Sequence, residues 1–190
     1  MFSSFYEYIG PLISLSDSEK KTIEQAFTFR LVPANFVLAE EREIAKELFF
    51  INKGLIRLYY TRNGQEITGN LFTEQSLAAS YDSFLKQLPS VQTLETIEDC
   101  ELLVISYKTL QGLYKTFPKL YMLARKLAEQ RYVNAQLMLS SFILDKPEER
   151  YRKFKTQNED LLLRVPLPMI ASYLGITPAA MARMRKRIEE

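Results

Sequence analysis

The spacing of hydrophobic residues changes twice along this 190-residue chain, and these changes restrict the folds open to it. From about Phe29 the chain contains short β-rich runs separated by turn residues. Between Leu120 and Leu144 there is no glycine or proline, so about 25 residues can form one continuous helix. Shorter helical patterns follow. This order predicts an α+β chain with an N-terminal β-roll or small barrel, a long helix, and a helical C-terminal domain.

Local signals support this division. Ser16 and Glu19 have the spacing of a capping box, which predicts a helix start, and Ser106 and Pro118 mark two later helix starts. Asn63-Gly64 lies between two β-rich runs and predicts a tight hairpin. The strand candidates are Phe36–Leu38, Leu48–Ile51, Leu55–Tyr60, Glu66–Thr68, Val91–Ile97 and Glu101–Ile105.

The long helix is apolar on more than one side, although a surface helix needs only one apolar stripe. One stripe contains Leu120, Leu123, Leu127 and Met138, and the other contains Tyr121, Ala128, Tyr132, Ala135, Leu139 and Phe142. We predict that the helix packs on its own domain and also on a second copy of the chain. The alternative is that both stripes face internal core. The candidate dimer-helix residues are Leu120, Leu127, Tyr132, Ala135 and Leu139.

The stretch from Leu167 to Lys186 predicts a helix-turn-helix. Gly175 suits the left-handed conformation that ends a helix. Thr177 offers an N-cap oxygen to a second helix, and Pro178 takes its first position, where the missing N–H costs nothing. The second helix is predicted to bury Met181, Met184 and Ile188.

The outward face of this second helix is basic. We predict that it contacts DNA through Thr177, Ala179, Arg183, Arg185, Lys186 and Arg187. From residue 145 to residue 190 there are ten basic and seven acidic residues, whereas the other 144 residues contain 15 and 16. The net charge of the whole chain is only +2, but its C-terminal segment is basic. A helix this short contacts few bases, which favours a homodimer on two half-sites of double-stranded DNA.

The chain has no histidine and a single cysteine, Cys100, and this excludes several kinds of site. Without histidine there is no Ser-His-Asp or Cys-His catalysis and no histidine-ligated zinc or haem. One cysteine cannot form an internal disulfide or a four-cysteine iron–sulfur cluster. We expect no metal site and no enzyme activity. The chain also lacks a signal-peptide pattern and any apolar run near the ~18 residues of a membrane span, so we expect a cytoplasmic protein.

With these features in order, the sequence resembles the Crp/Fnr family of bacterial transcription regulators across essentially its whole length. The resemblance rests on Phe50–Gly54 followed by Leu55–Tyr60, on Val104–Lys108 entering a helix, and on the long helix and helix-turn-helix that follow. It implies a cyclic-nucleotide-binding type of β-roll over residues 1–117, a dimerisation helix over 118–144, and a winged-helix DNA-binding domain over 145–190. Because the sequence ends just after the second helix, we expect the wing strands to be absent or reduced. The implied partners are an operator duplex, a second copy and, for an activator, RNA polymerase.

The departures from the family concern the effector site. Cyclic-AMP-binding members have a Gly-Glu pair and an Arg-Ser pair, where this chain has Ala79-Ser80 and Ser90-Val91. No arginine lies between Arg62 and Arg125, and a buried phosphodiester needs a cation or several aligned donors. A typical cyclic AMP, haem or iron–sulfur site is therefore not expected. A retained pocket would take a less anionic ligand and would include Asn70, Ser80, Tyr81 and Ser90.

The resemblance thus predicts a homodimeric transcription regulator that does not respond to cyclic AMP. Its operator should differ from those of well-studied members, because Pro178-Ala179 replaces the Arg-Glu pair that begins their recognition helix, while Arg183 is retained. The alternative is a signalling or interaction module whose basic C-terminal helices bind an acidic protein partner.

Overall fold

The structure is a computed structural model that describes residues 1–189, with side chains described as far as Arg187. The chain forms two compact units. The first contains residues 1–60 and 70–128, and the second contains residues 61–69 together with those from 129 onward. The helices are α1 (Ser3–Ile9), α2 (Asp17–Ala26), α3 (Tyr81–Lys86), α4 (Tyr107–Thr116), α5 (Lys119–Leu144), α6 (Pro147–Gln157), α7 (Leu161–Arg164), α8 (Leu167–Tyr173) and α9 (Pro178–Glu189). The strands are β1 (Thr28–Val32), β2 (Val37–Ala39), β3 (Glu47–Lys53), β4 (Ile56–Arg62), β5 (Gln65–Phe72), β6 (Leu77–Ala78), β7 (Thr93–Thr96) and β8 (Cys100–Ser106).

The eight strands form a roll of two four-stranded sheets, with strand orders β1-β8-β3-β6 and β2-β7-β4-β5. Strand β8 pairs antiparallel with β1 and β3, and β7 pairs antiparallel with β2 and β4. The predicted α+β class with an N-terminal roll is confirmed. The Asn63-Gly64 turn joins β4 to β5 as predicted, with φ of 52° and 74° at its two residues, which is the geometry that favours Asn-Gly in tight hairpins.

Strand β3 explains why the run Leu48–Ile51 is continuously apolar. Leu48 and Phe50 belong to a core cluster shared with the helices of the first unit, which we call the helix-side core. Phe49 and Ile51 belong to a second cluster formed with residues of both sheets, the inter-sheet core. Because successive strand residues point to opposite faces, a strand buried on both faces must be apolar throughout.

The predicted helix starts are also present. The Glu19 N–H donates to Ser16 Oγ at 3.4 Å, and the Ser16 N–H donates to Glu19 Oε2 at 2.8 Å, which completes the capping box. The Lys119 ammonium donates to the same Glu19 carboxylate at 2.6 Å and, with the Ser16 N–H, lowers the pKa of Glu19 to about 2. The start of α2 is thereby tied to the start of α5.

Gly54 is required at the turn before β4. Its φ is +100°, and a Cβ there would lie 2.7 Å from the Asp99 carbonyl oxygen and 2.6 Å from Cys100 Sγ. We expect Gly54→Ala to lower the free energy of unfolding by about 2–4 kcal/mol, from backbone strain and overpacking together. Gly64→Ala is the matched control, since its φ is +74° but nothing lies within 4 Å, and it should cost only about 1 kcal/mol. Urea unfolding followed by circular dichroism measures both, and equal losses would contradict the steric argument.

Candidate functional site

The turn between α8 and α9 has the predicted geometry. Gly175 has a φ of +64°, and a Cβ on it would lie 2.8 Å from Phe142 Cε1, so only glycine fits without rearrangement. The Ile176 N–H donates to the Ala171 carbonyl at 2.9 Å, and the Gly175 N–H donates to the Ser172 carbonyl at 3.1 Å. These two bonds satisfy the last carbonyls of α8 and end the helix.

Helix α9 begins at the residues that the sequence indicates. Thr177 Oγ1 accepts a hydrogen bond from the Ala180 N–H at 3.2 Å, and Pro178 is the first helical residue. Met181 is 0% exposed and Met184 is buried, so this side of α9 packs into the second unit. Ile188, the third predicted core position, lies outside the described side chains.

The opposite side of α9 is exposed. All six predicted DNA-contacting residues lie at exposed positions: Thr177, Ala179, Arg183, Arg185, Lys186 and Arg187. Arg183, Lys186 and Arg187 line one shallow open depression on the helix surface. Arg187 also pairs with Glu148 of α6 at 3.3 Å. The helix-turn-helix thus presents clustered guanidinium and ammonium groups on a face free of core packing, which suits contacts to phosphates and base edges.

The long helix α5 uses its two stripes differently. Leu120, Leu123 and Leu127 are buried in the helix-side core of the first unit, so two of the candidate dimer residues pack within the chain itself. Tyr132 is 66% exposed and Leu139 is 53% exposed, and Ala135 is exposed as well. The candidate dimer residues that remain exposed therefore lie in the later turns of α5.

Ser80 and Ser90, which were predicted to line a pocket, come together in the roll. Ser80 is 0% exposed, and its Oγ lies 2.7 Å from Ser90 Oγ, 3.0 Å from Gln92 Oε1 and 3.3 Å from the Asp82 carboxylate. The Gln92 amide donates in turn to the Tyr60 hydroxyl. We call Tyr60, Ser80, Asp82, Ser90 and Gln92 the polar cluster. Its hydroxyl and amide groups hydrogen-bond to one another, and its one charged side chain is the Asp82 carboxylate, so it offers hydrogen bonds without positive charge.

The other two predicted pocket residues lie elsewhere. The Asn70 side-chain oxygen accepts from the neighbouring Leu71 N–H, and Tyr81 lines an apolar cavity within the helix-side core. The structure also shows a buried cation that sequence reasoning missed. Arg57 is 2% exposed, pairs with Glu95 at 3.0 Å, and lies 4.5 Å from the Tyr59 ring centroid.

Arg57 does not replace the missing phosphate-binding arginine. It alternates along β4 with Ile56 and Leu58, which belong to the inter-sheet core, so it lies on the other face of the strand. The alternation of residues along Leu55–Tyr60 indicates this position of Arg57. Its charge lies on one face of the strand, while Ile56 and Leu58 keep the other face apolar. Gln92, Asp82 and Tyr60 gave no comparable signal, because polar residues near turns are common.

Comparison with known proteins finds a family match for the β-roll. The family model of the cyclic nucleotide-binding domain matches residues 29–117, which include all eight strands except the first residue of β1. The roll is therefore similar to a cyclic nucleotide-binding domain over these residues. No curated protein sequence matches the chain.

Solved structures share the fold over most of the chain. FixK2 from Bradyrhizobium japonicum superposes with a TM-score of 0.75 at 14% identity, covering 86% of this chain and 84% of FixK2. A Crp/Fnr-family protein from Eubacterium rectale has a TM-score of 0.71 at 18% identity, covering 92% and 84% of the two chains. CLP, a c-di-GMP-responsive global regulator from Xanthomonas campestris, has a TM-score of 0.68 at 17% identity, covering 92% of each chain. The resemblance to the Crp/Fnr family is thereby confirmed at the level of the fold.

The described part of the chain contains neither a metal-ligating cluster nor a membrane-spanning helix. Among the side chains that the structure describes, up to Arg187, no group of three acidic or cysteine residues is placed to hold a metal ion. Among the same residues, α5 is the longest helix, and neither it nor a shorter one has the length and hydropathy needed to cross a membrane.

Proposed function

We propose that the chain is a homodimeric DNA-binding transcription regulator of Crp/Fnr type that acts without cyclic AMP. The observation that carries this proposal is the helix-turn-helix of α8 and α9, in which Met181 and Met184 are buried and Arg183 and Lys186 are exposed. An α-helix fits the major groove of B-DNA, and residues near its N-terminal half contact the base edges. Arg183, the sixth residue of α9, is placed for such a contact.

The charge of α9 supports binding to a polyanion. From Pro178 to Arg187 the helix contains Arg183, Arg185, Lys186 and Arg187 and no acidic residue. A dimer would carry two sets of these four basic residues. Each DNA phosphate that they neutralise releases counterions from the duplex. The alternative is that this surface docks on an acidic protein. Docking of that kind does not require the turn geometry at Gly175 and Thr177, whereas a helix-turn-helix does.

The exposed face of α5 supports a homodimer. Ala128, Tyr132, Ala135, Leu139 and Phe142 are all exposed and follow one another at alternating spacings of four and three residues. This spacing is that of a coiled-coil seam, in which two helices pack along one stripe each. Alanine at two of the five positions lets the helices approach closely. A second copy of α5 would cover this stripe and place two copies of α9 on one duplex.

The polar cluster supports independence from cyclic AMP. A cyclic nucleotide carries an anionic phosphate, and transferring that anion into a buried site requires a cation or several aligned donors. Here the Ser80 hydroxyl is already hydrogen-bonded to Ser90, Gln92 Oε1 and the Asp82 carboxylate, so a phosphate would meet a negative charge and no cation within the cluster. The same domain can still serve as a scaffold or respond to a ligand of different chemistry. If the regulator is an activator, RNA polymerase would be a further partner.

The proposal is tested by titrating the full-length protein onto duplex DNA from its own promoter region at several salt concentrations, with and without saturating cyclic AMP. We expect binding without cyclic AMP, no change on adding it, and a slope of log K against log salt of roughly −4 to −7 for four to eight phosphate contacts. A chain ending at Phe154, which lacks the end of α6 and all of α7, α8 and α9, is the control and should not bind. Salt-independent or absent duplex binding would contradict DNA recognition and favour the protein-docking module. Tighter binding with cyclic AMP would contradict only the effector part.

A further inference from the structure

The helix-side core of the first unit contains a cavity of about 90 Å³ that is partly open at the surface, where the half-exposed Leu85 forms part of its rim. Its wall is assembled from five helices and three strands, with Phe5 of α1, Ile23 of α2, Phe84 of α3, Leu113 of α4, and Leu123 and Ala124 of α5 among the lining residues. The lining side chains come from positions far apart in the sequence. The cavity is therefore a property of the packed domain and not of one loop.

The chemistry of the wall selects an uncharged occupant. No lining residue is charged, and the polar groups among the described lining residues are Tyr81, Gln111 and Tyr114. Burial raises the pKa of Tyr114 to about 12, so its hydroxyl stays neutral at physiological pH. An anion or cation would lose its hydration here without gaining an opposite charge, which is strongly unfavourable. A molecule with an apolar body and at most one hydroxyl or carbonyl group would meet compatible partners.

The size of the cavity limits the occupant further. Protein interiors are close-packed, with few voids larger than a water molecule, so a void of this size is unusual in a small domain. Apart from Tyr81, Gln111 and Tyr114 the wall is apolar, and an engineered apolar cavity of about 150 Å³ binds benzene and xenon. At about 90 Å³, this cavity accepts molecules of about the size of benzene or smaller.

We propose that this cavity is a binding site for a small, uncharged, predominantly apolar molecule, distinct from the polar cluster of the roll. Tyr81 belongs to this site, although the sequence suggested that it shares a pocket with Ser80. The proposal is independent of DNA binding. An occupant would lie against Leu120, Leu123, Ala124 and Leu127, in the first turns of the same α5 helix whose later turns bear the exposed stripe.

Benzene and xenon are the probes that test this site, with methyl-labelled full-length protein observed by NMR and by thermal unfolding. We expect saturable shifts confined to lining methyls such as those of Ile23, Leu113 and Leu123. The thermal midpoint should rise by about 3–6 °C when benzene is present at ten times its Kd. Absence of saturable shifts at these methyls with both probes would overturn the proposal.

Filling the cavity provides a second, independent test. Ala124→Leu should abolish the probe-induced shifts and leave the thermal midpoint unchanged or raised, because the added methyl groups enter empty space. Gln130→Leu is the matched control on the same helix: Gln130 is exposed and belongs neither to the cavity lining nor to the exposed stripe of α5, so probe binding should persist. If Ala124→Leu instead lowers the midpoint as overpacking does, the space is not open and the proposal fails.

Discussion

Replacing Arg183 by alanine is expected to weaken binding to the operator by at least about thirtyfold, while binding to unrelated duplexes changes little. A bidentate arginine–guanine contact discriminates by roughly 1–3 kcal/mol, and a homodimer loses the contact at both half-sites. Arg183 is exposed on α9 and contributes nothing to the core around Met181, so the variant should unfold at the wild-type temperature. Competition gel shifts with operator and scrambled duplexes measure the ratio of the two affinities.

Arg187→Ala is the matched comparison on the same helix. Arg187 is exposed and pairs with Glu148, a surface ion pair whose loss should change stability little. If Arg187 contacts phosphate, its removal weakens operator and scrambled duplex alike and flattens the salt slope by about 2 for the dimer. The assignment of Arg183 to base recognition would be wrong if Arg183→Ala lowered both affinities equally, or if Arg187→Ala changed the ratio instead.

The parts of the fold that could be predicted from the sequence are those governed by local chemistry. The capping box at Ser16, the hairpin at Asn63-Gly64 and the turn at Gly175 each depend on backbone preferences of one to four residues, and each forms as predicted. The elements that went unrecognised are short. Helix α3 has six residues and β6 has two, so neither contains enough residues to establish a hydrophobic period.

The effector region shows a different limit. Ser80 and Tyr81 are neighbours in the sequence, but Ser80 is the non-helical N-cap residue before α3 and Tyr81 is the first helical residue, so their side chains take different directions. Ser80 therefore bonds within the polar cluster, and Tyr81 lines the cavity in the helix-side core. Ser80 and Ser90 are ten residues apart, and only the packing of the intervening loop brings their hydroxyls together. A pocket formed from loop residues depends on tertiary contacts, which residue types and spacing along the sequence do not determine.

The same reasoning separates the two stripes of α5. Both are visible as hydrophobic periods, yet the sequence cannot show which one the chain covers itself. The structure buries Leu120 and Leu127 and leaves Tyr132, Ala135 and Leu139 exposed. The dimer proposal therefore depends on the later turns of α5, and a substitution there should affect association without disturbing the packing of the first unit.

We accordingly expect Leu139→Glu to convert the homodimer to a monomer and to lower operator affinity by about 10²–10⁴-fold, the gain that linking two half-site contacts provides. Leu139 is 53% exposed in the single chain, and glutamate is a good helix former, so the monomer should tolerate the change. Across a symmetric seam, however, two glutamates would be desolvated close together. Light scattering coupled to size exclusion gives the oligomeric state, and gel shifts with one and two half-sites give the affinities.

Ser140→Glu is the control for this experiment, because it introduces the same charge at an exposed position of α5 that lies about 100° around the helix from Leu139. It should remain dimeric and bind the operator as the wild type does. Half-site binding should be equal in wild type and Leu139→Glu, since α9 is unchanged. Dimerisation through this stripe is contradicted if Leu139→Glu remains a dimer. It is also contradicted if Ser140→Glu dissociates to the same extent, because the contact surface must then lie on another face of α5.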